Sequence, residues 1–208
     1  MQQIHESICQ RAEGNVCAKC LTRIDKRDYR FSDEEVCEFA AENGHLKCLQ
    51  YFHENGFKWN NLSHLAALYG HLDILKYVHE QGQPLEKEVC RAAATAGSIE
   101  CLQYAHENGC EWDEWVCYEA AANGHLDCLI YLHEEGCPWL DTICPNGTRE
   151  EHLDCMKFYC EQVCPWDSSI CDAAATNGHL ECLKYLVQNG CEWDEWTCLG
   201  LTKALGIV

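Results

Sequence analysis

The chain has 208 residues, 47% of them hydrophobic, and carries 34 acidic against 15 basic side chains for a formal net charge of −19. That balance excludes a surface built to grip a nucleic-acid backbone or an anionic membrane, since both select for clustered Lys and Arg. No run approaches the roughly 20 apolar residues of a membrane span, and the opening MQQIHESICQ lacks the apolar segment of a signal peptide, so the expectation is a reducing, cytoplasmic location.

In chain order, the first pattern is repetition. Shifting the N-terminal segment by 28 places Cys9 on Cys37, Ala12 on Ala40, Cys20 on Cys48, Leu21 on Leu49 and Phe31 on Trp59. After it come NGHLKCL from 43, YGHLDIL from 69, AGSIECL from 96, NGHLDCL from 123, EEHLDCM from 150 and NGHLECL from 177, spaced 26, 27, 27, 27 and 27 residues apart. GCEWDEW occurs at 109–115 and again at 190–196, three periods later. Residues 1–208 therefore read as one repeat domain, with units starting near Cys9, Cys37, Ser63, Cys90, Cys117, Cys144 and Cys171 and a partial unit at 198–208. Such units bury their apolar faces against their neighbours, giving a long, thin core.

Residues 113–139 are the clearest unit. Asp113 is a good N-cap, and Cys117, Ala120, Ala121 and Gly124 recur at 0, 3, 4 and 7, the spacing of one buried stripe on a short helix. Asn123-Gly124 ends that helix. A second follows, with Leu126, Leu129, Ile130 and Leu132 apolar and Asp127, Glu134 and Glu135 facing water. Gly136 suits the left-handed position that stops a helix, and Cys137, Pro138 and Trp139 lead onward. GCEWDEW is thus a helix stop, a small buried Cys, a linker Trp and the cap of the next helix. The Trp column (Trp59, Trp112, Trp139, Trp166, Trp193) is expected to pack between units. In the unit from Cys144, Pro145 enters the first helix and Gly147-Thr148 replace the Ala pair; an internal proline costs ~3 kcal/mol, so this helix is expected to be shortened or lost.

Nineteen cysteines raise the question of disulfides or metal. Most fall into columns: Cys9, Cys37, Cys90, Cys117, Cys144, Cys171 and Cys198 with Ser63 as the exception; Cys20, Cys48, Cys101, Cys128, Cys155 and Cys182 with Ile74; and Cys110, Cys137, Cys164 and Cys191, where other units have Tyr29, Phe57 and Gln83. Cys here reads as a small buried hydrophobe. Stacked helices sit ~8–10 Å apart and a disulfide needs Cα atoms roughly 4.4–6.8 Å apart, which disfavours bridges within a column. Cys17 aligns with the His of GHL and Cys160 with the His of LHE, so these two are the expected exposed thiols. CAKC at 17–20 has zinc spacing, but a structural site needs a second pair and Cys20 belongs to the core column. His45, His71, His125, His152 and His179 form one column and His53, His79, His106 and His133 another; both are expected to make helix-end hydrogen bonds. No metal ligand, cofactor site or catalytic residue is assigned.

An Ala pair, a Gly-His turn, an apolar second helix and a helix-ending Gly, as in AAANGHLDCLIYLHEEGCPW, resemble the second half of an ankyrin repeat, over essentially the whole chain. The ankyrin period is about 33 with a T-P-L-H signature; this chain runs at 27 and lacks it, so about six residues of the β-turn finger are missing. The pattern is similar to the short Cys- and Trp-rich ankyrin-like repeats abundant in large DNA viruses and some protists. The resemblance implies an all-α solenoid of stacked helix-turn-helix repeats, with reduced or absent β-hairpin fingers.

It also implies a protein-interaction module or adaptor, without catalysis, that binds another protein through positions that vary while the core stays fixed. The position after the first Cys column reads Glu38, His64, Arg91, Tyr118, Pro145, Asp172 and Leu199. From it and its surroundings Glu38, His64, Arg91, Trp115, Tyr118, Glu119, Asp172 and Trp196 are the candidate partner-binding residues, the aromatics because they dominate interface hot spots. The partner is read as a basic protein surface or a host factor. The competing readings are a self-assembling structural protein, forming homo-oligomers through its apolar KALGIV tail, and a thiol-rich metal-binding or redox protein.

Overall fold

A computed structural model describes residue 17, residue 20 and residues 32–139, 153–162, 168–192 and 195–204. The chain divides into two compact units, residues 1–93 with 100–110 and residues 94–99 with 111–208. Among the described residues all regular structure is helical. The Pro145 helix, the last four residues, Trp166 and Trp193 lie outside them.

In the first unit α1 (Asp33–Glu42) is followed by α2 (Leu46–Glu54), α3 (Leu62–Leu68) and α4 (Leu72–Glu80), then by α5 (Lys87–Ala96) and α6 (Ile99–Glu107), which cross the division between the units. The second unit continues with α7 (Glu114–Ala122), α8 (Leu126–Glu134), α9 (Leu153–Gln162), α10 (Ser168–Thr176), α11 (Leu180–Gln188) and α12 (Glu195–Ala204). First helices pack on their own second helices, as α1 on α2 and α7 on α8. They also pack on the next first helix, as α1 on α3 and α10 on α12, while second helices stack as α8 on α9 and α9 on α11. These are the stacked helix-turn-helix units expected, and no strand occurs among the described residues.

Local chemistry dictates each element. The Ser32 hydroxyl accepts from the Glu35 amide at 3.3 Å and Glu35 accepts from the Ser32 amide at 2.6 Å, a reciprocal cap that starts α1. Asp33, Glu34 and Glu35 complement the positive end of its dipole. Asp113 caps α7 through the Trp115 amide. The buried stripe is Val36, Cys37, Ala40 and Ala41 on α1, and Val116, Cys117, Ala120 and Ala121 on α7. Ala at two of four positions lets adjacent first helices approach closely. On α8 the buried set is Cys128, Leu129 and Leu132, with Leu126 and Ile130 half-buried, so Cys128 is a larger part of the core than the leucine pattern suggests.

The Gly-His turn has a double cause. Gly44 sits at φ +70°, its amide donating to Ala41 O and the His45 amide to Ala40 O at 2.8 Å, the pair of bonds that closes a helix over a left-handed residue. A Cβ on Gly44 would also lie 2.8 Å from Cε1 of His71, in the following unit. The His71 ring packs into that gap, and its Nε2 lies 3.0 Å from the carbonyl of Glu42. His125 meets the Thr95 carbonyl at 3.0 Å in the same way, beside Gly97. His71 and His125 therefore each tie their repeat to the end of the preceding first helix.

The second histidine column acts differently from the expected helix-end role. His53 Nδ1 lies 2.8 Å from the Tyr77 hydroxyl and His79 Nδ1 2.9 Å from that of Tyr104, linking successive second helices side by side. His133 faces Phe158 instead, edge to face at 5.6 Å. The linker tryptophans close over these contacts: Trp59 lies against His53 and Tyr77, Trp112 against Tyr131 and Trp139 against His133. They pack between repeats, as their column predicts.

Candidate functional site

The candidate binding positions lie on the first helices, beside the buried stripe. In the first unit Glu38, His64 and Arg91 occupy equivalent places on α1, α3 and α5, and all three are half-buried. The Glu38 carboxyl is held above its usual range by burial and by Glu34, Glu42 and Glu35. His64 Nδ1 lies 3.2 Å from the Glu88 carbonyl in the next repeat.

In the second unit Trp115 and Tyr118 come together one turn apart on α7, rings edge to face at 5.5 Å. Trp115 is 45% exposed, one of the few large apolar side chains so open, and Tyr118 is half-buried behind it. Glu119 accepts from the Thr95 hydroxyl at 3.3 Å, and Asp172 accepts from that of the buried Thr197. Trp196 lies in α12, and its side chain is outside the described set. His64, Glu119 and Asp172 thus spend polar atoms on neighbouring repeats, whereas Trp115 is open to solvent. Two further apolar residues are exposed, each in its own unit: Leu199 of the second, in the variable column, and Tyr69 of the first, which is 50% exposed and replaces the Asn of the NGH turn. That replacement is visible in the sequence as the one YGH among NGH turns.

A second constellation lies in the first unit. Cys17, Cys20, His45 and Cys48 place one ligand atom each within 4.8 Å of one another. His45 Nδ1 is 3.4 Å from Cys17 Sγ and 3.2 Å from Cys20 Sγ, and the Cys17 amide donates to Cys48 Sγ at 3.2 Å. Cys20 and Cys48 are buried, Cys17 and His45 half-buried. Burial pushes the Cys20 thiol far up, with the hydrogen bond from Cys17 adding to it. The second pair that CAKC lacks in the sequence is brought to it by the fold, as His45 and Cys48 of the next repeat.

Models of ankyrin repeats match residues 37–82 and 90–133 (ankyrin repeats, many copies) and residues 169–197 (ankyrin repeat), together more than half of the chain. The chain belongs to the ankyrin repeat family. Among solved structures it is similar to the ankyrin repeat domain of human ASB11, with a TM-score of 0.64 and 22% identity, covering 75% of this chain and 84% of that one. No curated protein matches the chain in sequence.

Against the ankyrin frame, two thiols differ from expectation. Cys160, expected at the surface, is only 4% exposed. Its column carries histidines whose rings reach the next repeat's Tyr; the shorter Cys is enclosed there, and Tyr185 donates instead to Glu161 at 2.8 Å. Cys198, expected in the core column, is exposed. The helix α12 buries Thr197 and brings Gly200 against Thr176, which turns Cys198 outward. The remaining column cysteines among the described residues are buried, and no disulfide joins any described cysteine.

Proposed function

We propose that this ankyrin repeat chain is a non-catalytic protein-binding adaptor whose partner docks on the first-helix face around Trp115 and Tyr118. Ankyrin repeats generally serve protein–protein interaction, and the observation that supports this face is the exposed, edge-stacked Trp115–Tyr118 pair. Aromatic anchors of this kind supply a large share of interface energy at low entropic cost. Glu119, Asp172 and Trp196 of the same unit would frame the contact, Glu38, His64 and Arg91 are the equivalent positions of the first unit, and the charge of −19 suits a basic partner surface. The Cys and Trp columns support a cytoplasmic protein of the short viral or protist type, which makes a host factor the natural partner.

The test is a photo-crosslinking side chain placed at Tyr118, with the same group at the exposed Glu135 as control. The expected result is one discrete adduct from position 118, absent from position 135 and lost in Trp115→Ala. Equal labelling from both positions would sink the assignment. An adduct with twice the mass of the chain would instead establish self-assembly, the reading favoured by the neighbouring exposed Cys198 and Leu199 on α12.

A further inference from the structure

The histidine that follows each turn glycine is an anchor to the preceding repeat at His71 and His125, where Nε2 meets a main-chain carbonyl. At His45 a further set of partners appears: its Nδ1 faces two sulfurs. It coincides with a change in sequence, since Cys17 occupies the column position that holds histidine in most units. Two successive repeats thus each present an i, i+3 pair from the same two columns, Cys17 with Cys20 and His45 with Cys48. In two later repeats the pair is incomplete or differently aimed: Ile74 follows His71, and the His125 ring that precedes Cys128 meets the Thr95 carbonyl.

From this convergence we propose that Cys17, Cys20, His45 and Cys48 form a structural zinc site of the Cys3His type, clamping Cys17 and Cys20 to the start of α2. Tetrahedral zinc, with Zn–S of about 2.3 Å and Zn–N of about 2.0–2.1 Å, holds its ligand atoms roughly 3.5–3.8 Å apart. The observed 3.2 and 3.4 Å from Nδ1 to two sulfurs, and the 4.8 Å limit on the whole group, need only small side-chain adjustments to meet that geometry. Three thiolates and an imidazole are the donors that select zinc over calcium or magnesium.

Further support comes from outside the four ligand atoms. The Cys17 amide already points at Cys48 Sγ, the kind of main-chain donor that stabilises a metal-bound thiolate. The Phe39 ring stands edge-on to His45 at 6.3 Å and shields it from one side. On binding, each of the three thiols gives its proton to solvent and zinc takes the sulfur lone pairs, leaving a site of net charge −1 that needs no open coordination position. The site shares no residue with the docking face around Trp115, so loss of one leaves the other standing.

The experiment uses the full chain, reduced and stripped of metal, titrated with zinc and monitored by native mass spectrometry, and in parallel with cobalt as a spectroscopic substitute. The expected result is one zinc per chain, and a cobalt spectrum with the intense visible bands of a tetrahedral ion plus thiolate charge transfer. Cys17→Ser, at a half-buried position, is expected to weaken zinc binding by at least about 100-fold, since losing an outer-sphere partner alone costs about 10–100-fold. Cys198→Ser, which keeps the site, leaves binding unchanged. Should Cys17→Ser not fold, alkylation mapping of the unsubstituted chain decides the matter: zinc must protect Cys17, Cys20 and Cys48 and leave Cys198 reactive. A metal-free mass at equimolar zinc, octahedral cobalt, equal binding by Cys17→Ser, or alkylation unaffected by zinc would each overturn the proposal.

Discussion

Gln83 Oε1 stands 3.4 Å from the hydroxyl of Ser63, and accepts from the amides of Leu62 at 2.9 Å and Ser63 at 3.3 Å. The equivalent places in another repeat hold Cys171 and Cys191, sulfur to sulfur at 2.8 Å. The two polar exceptions to the cysteine columns are thus one substitution made at both ends of a contact. Asn61, which precedes α3 at φ +48°, makes no side-chain cap, and Gln83 caps that helix from the far end of the same repeat.

Removing one end of this pair strands the other. Gln83→Ala leaves two helix-start amides and a buried hydroxyl without their acceptor, at an expected cost of about 1–3 kcal/mol. The double change Ser63→Cys with Gln83→Cys restores the arrangement of the other repeats and is expected to recover part of that loss. Urea denaturation of the unsubstituted chain, Ser63→Cys, Gln83→Cys and the double variant gives the coupling, expected at about 0.5–3 kcal/mol; strictly additive effects would refute the pairing.

Gly44 and Gly56 separate two causes that act together at the turn. Both have positive φ, at +70° and +81°, but only Gly44 has a neighbouring side chain where its Cβ would lie. Gly56→Ala should cost the left-handed backbone term alone, roughly 1–2 kcal/mol. Gly44→Ala should cost more, because the His71 ring must move and its bond to Glu42 lengthens. Equal thermal shifts for the two variants would show that His71 does not need the gap.

The link from His53 to Tyr77 predicts a gain as well as a loss. Tyr77→Phe removes the hydroxyl and should destabilise by about 0.5–1.5 kcal/mol. At the equivalent contact the chain already has Phe158 against His133. Phe158→Tyr should therefore raise the melting temperature, and a lowered one would mean that no room exists for the added oxygen.

The buried thiols set an alkaline limit. Burial raises Cys37 from an ordinary 9.0 to about 12, and Cys101 and Cys155 to about 11. Between those values and the ordinary thiol range the folded chain holds protons that the unfolded chain releases, so stability falls as pH rises from about 9 to about 12. Below pH 9 these thiols contribute no slope. Chemical denaturation at pH 8, 9.5 and 10.5 checks the sign. At pH 8 a thiol reagent should modify Cys198 well before Cys37, Cys101 or Cys155.

The repeated helix pairs, their stops and the packing of Trp59, Trp112 and Trp139 were legible because each recurs, and recurrence averages out the ambiguity of any single segment. What was not legible lies in exceptions that need a partner to be understood. Ser63 and Gln83 look like two separate lapses until their contact is seen. Cys17 looks like a lost histidine until His45 is found turned toward it. Cys198 keeps its column while α12 buries a different face, and no periodicity reports that rotation. Trp115, by contrast, was singled out in the sequence as an aromatic just ahead of the buried stripe, and its ring is exposed.

The histidine that enters the gap beside the preceding glycine has a consequence for how such a chain changes length. Because His71 meets Glu42 as His125 meets Thr95, the contact between a repeat and its successor is chemically alike at these two junctions. Copying or excising a block of one period that ends at such a junction regenerates the same pair of groups, so unequal crossing-over between these copies keeps the contact. A cut that separates a glycine from the histidine one period later forfeits the fit at that seam, which confines viable rearrangements to whole periods.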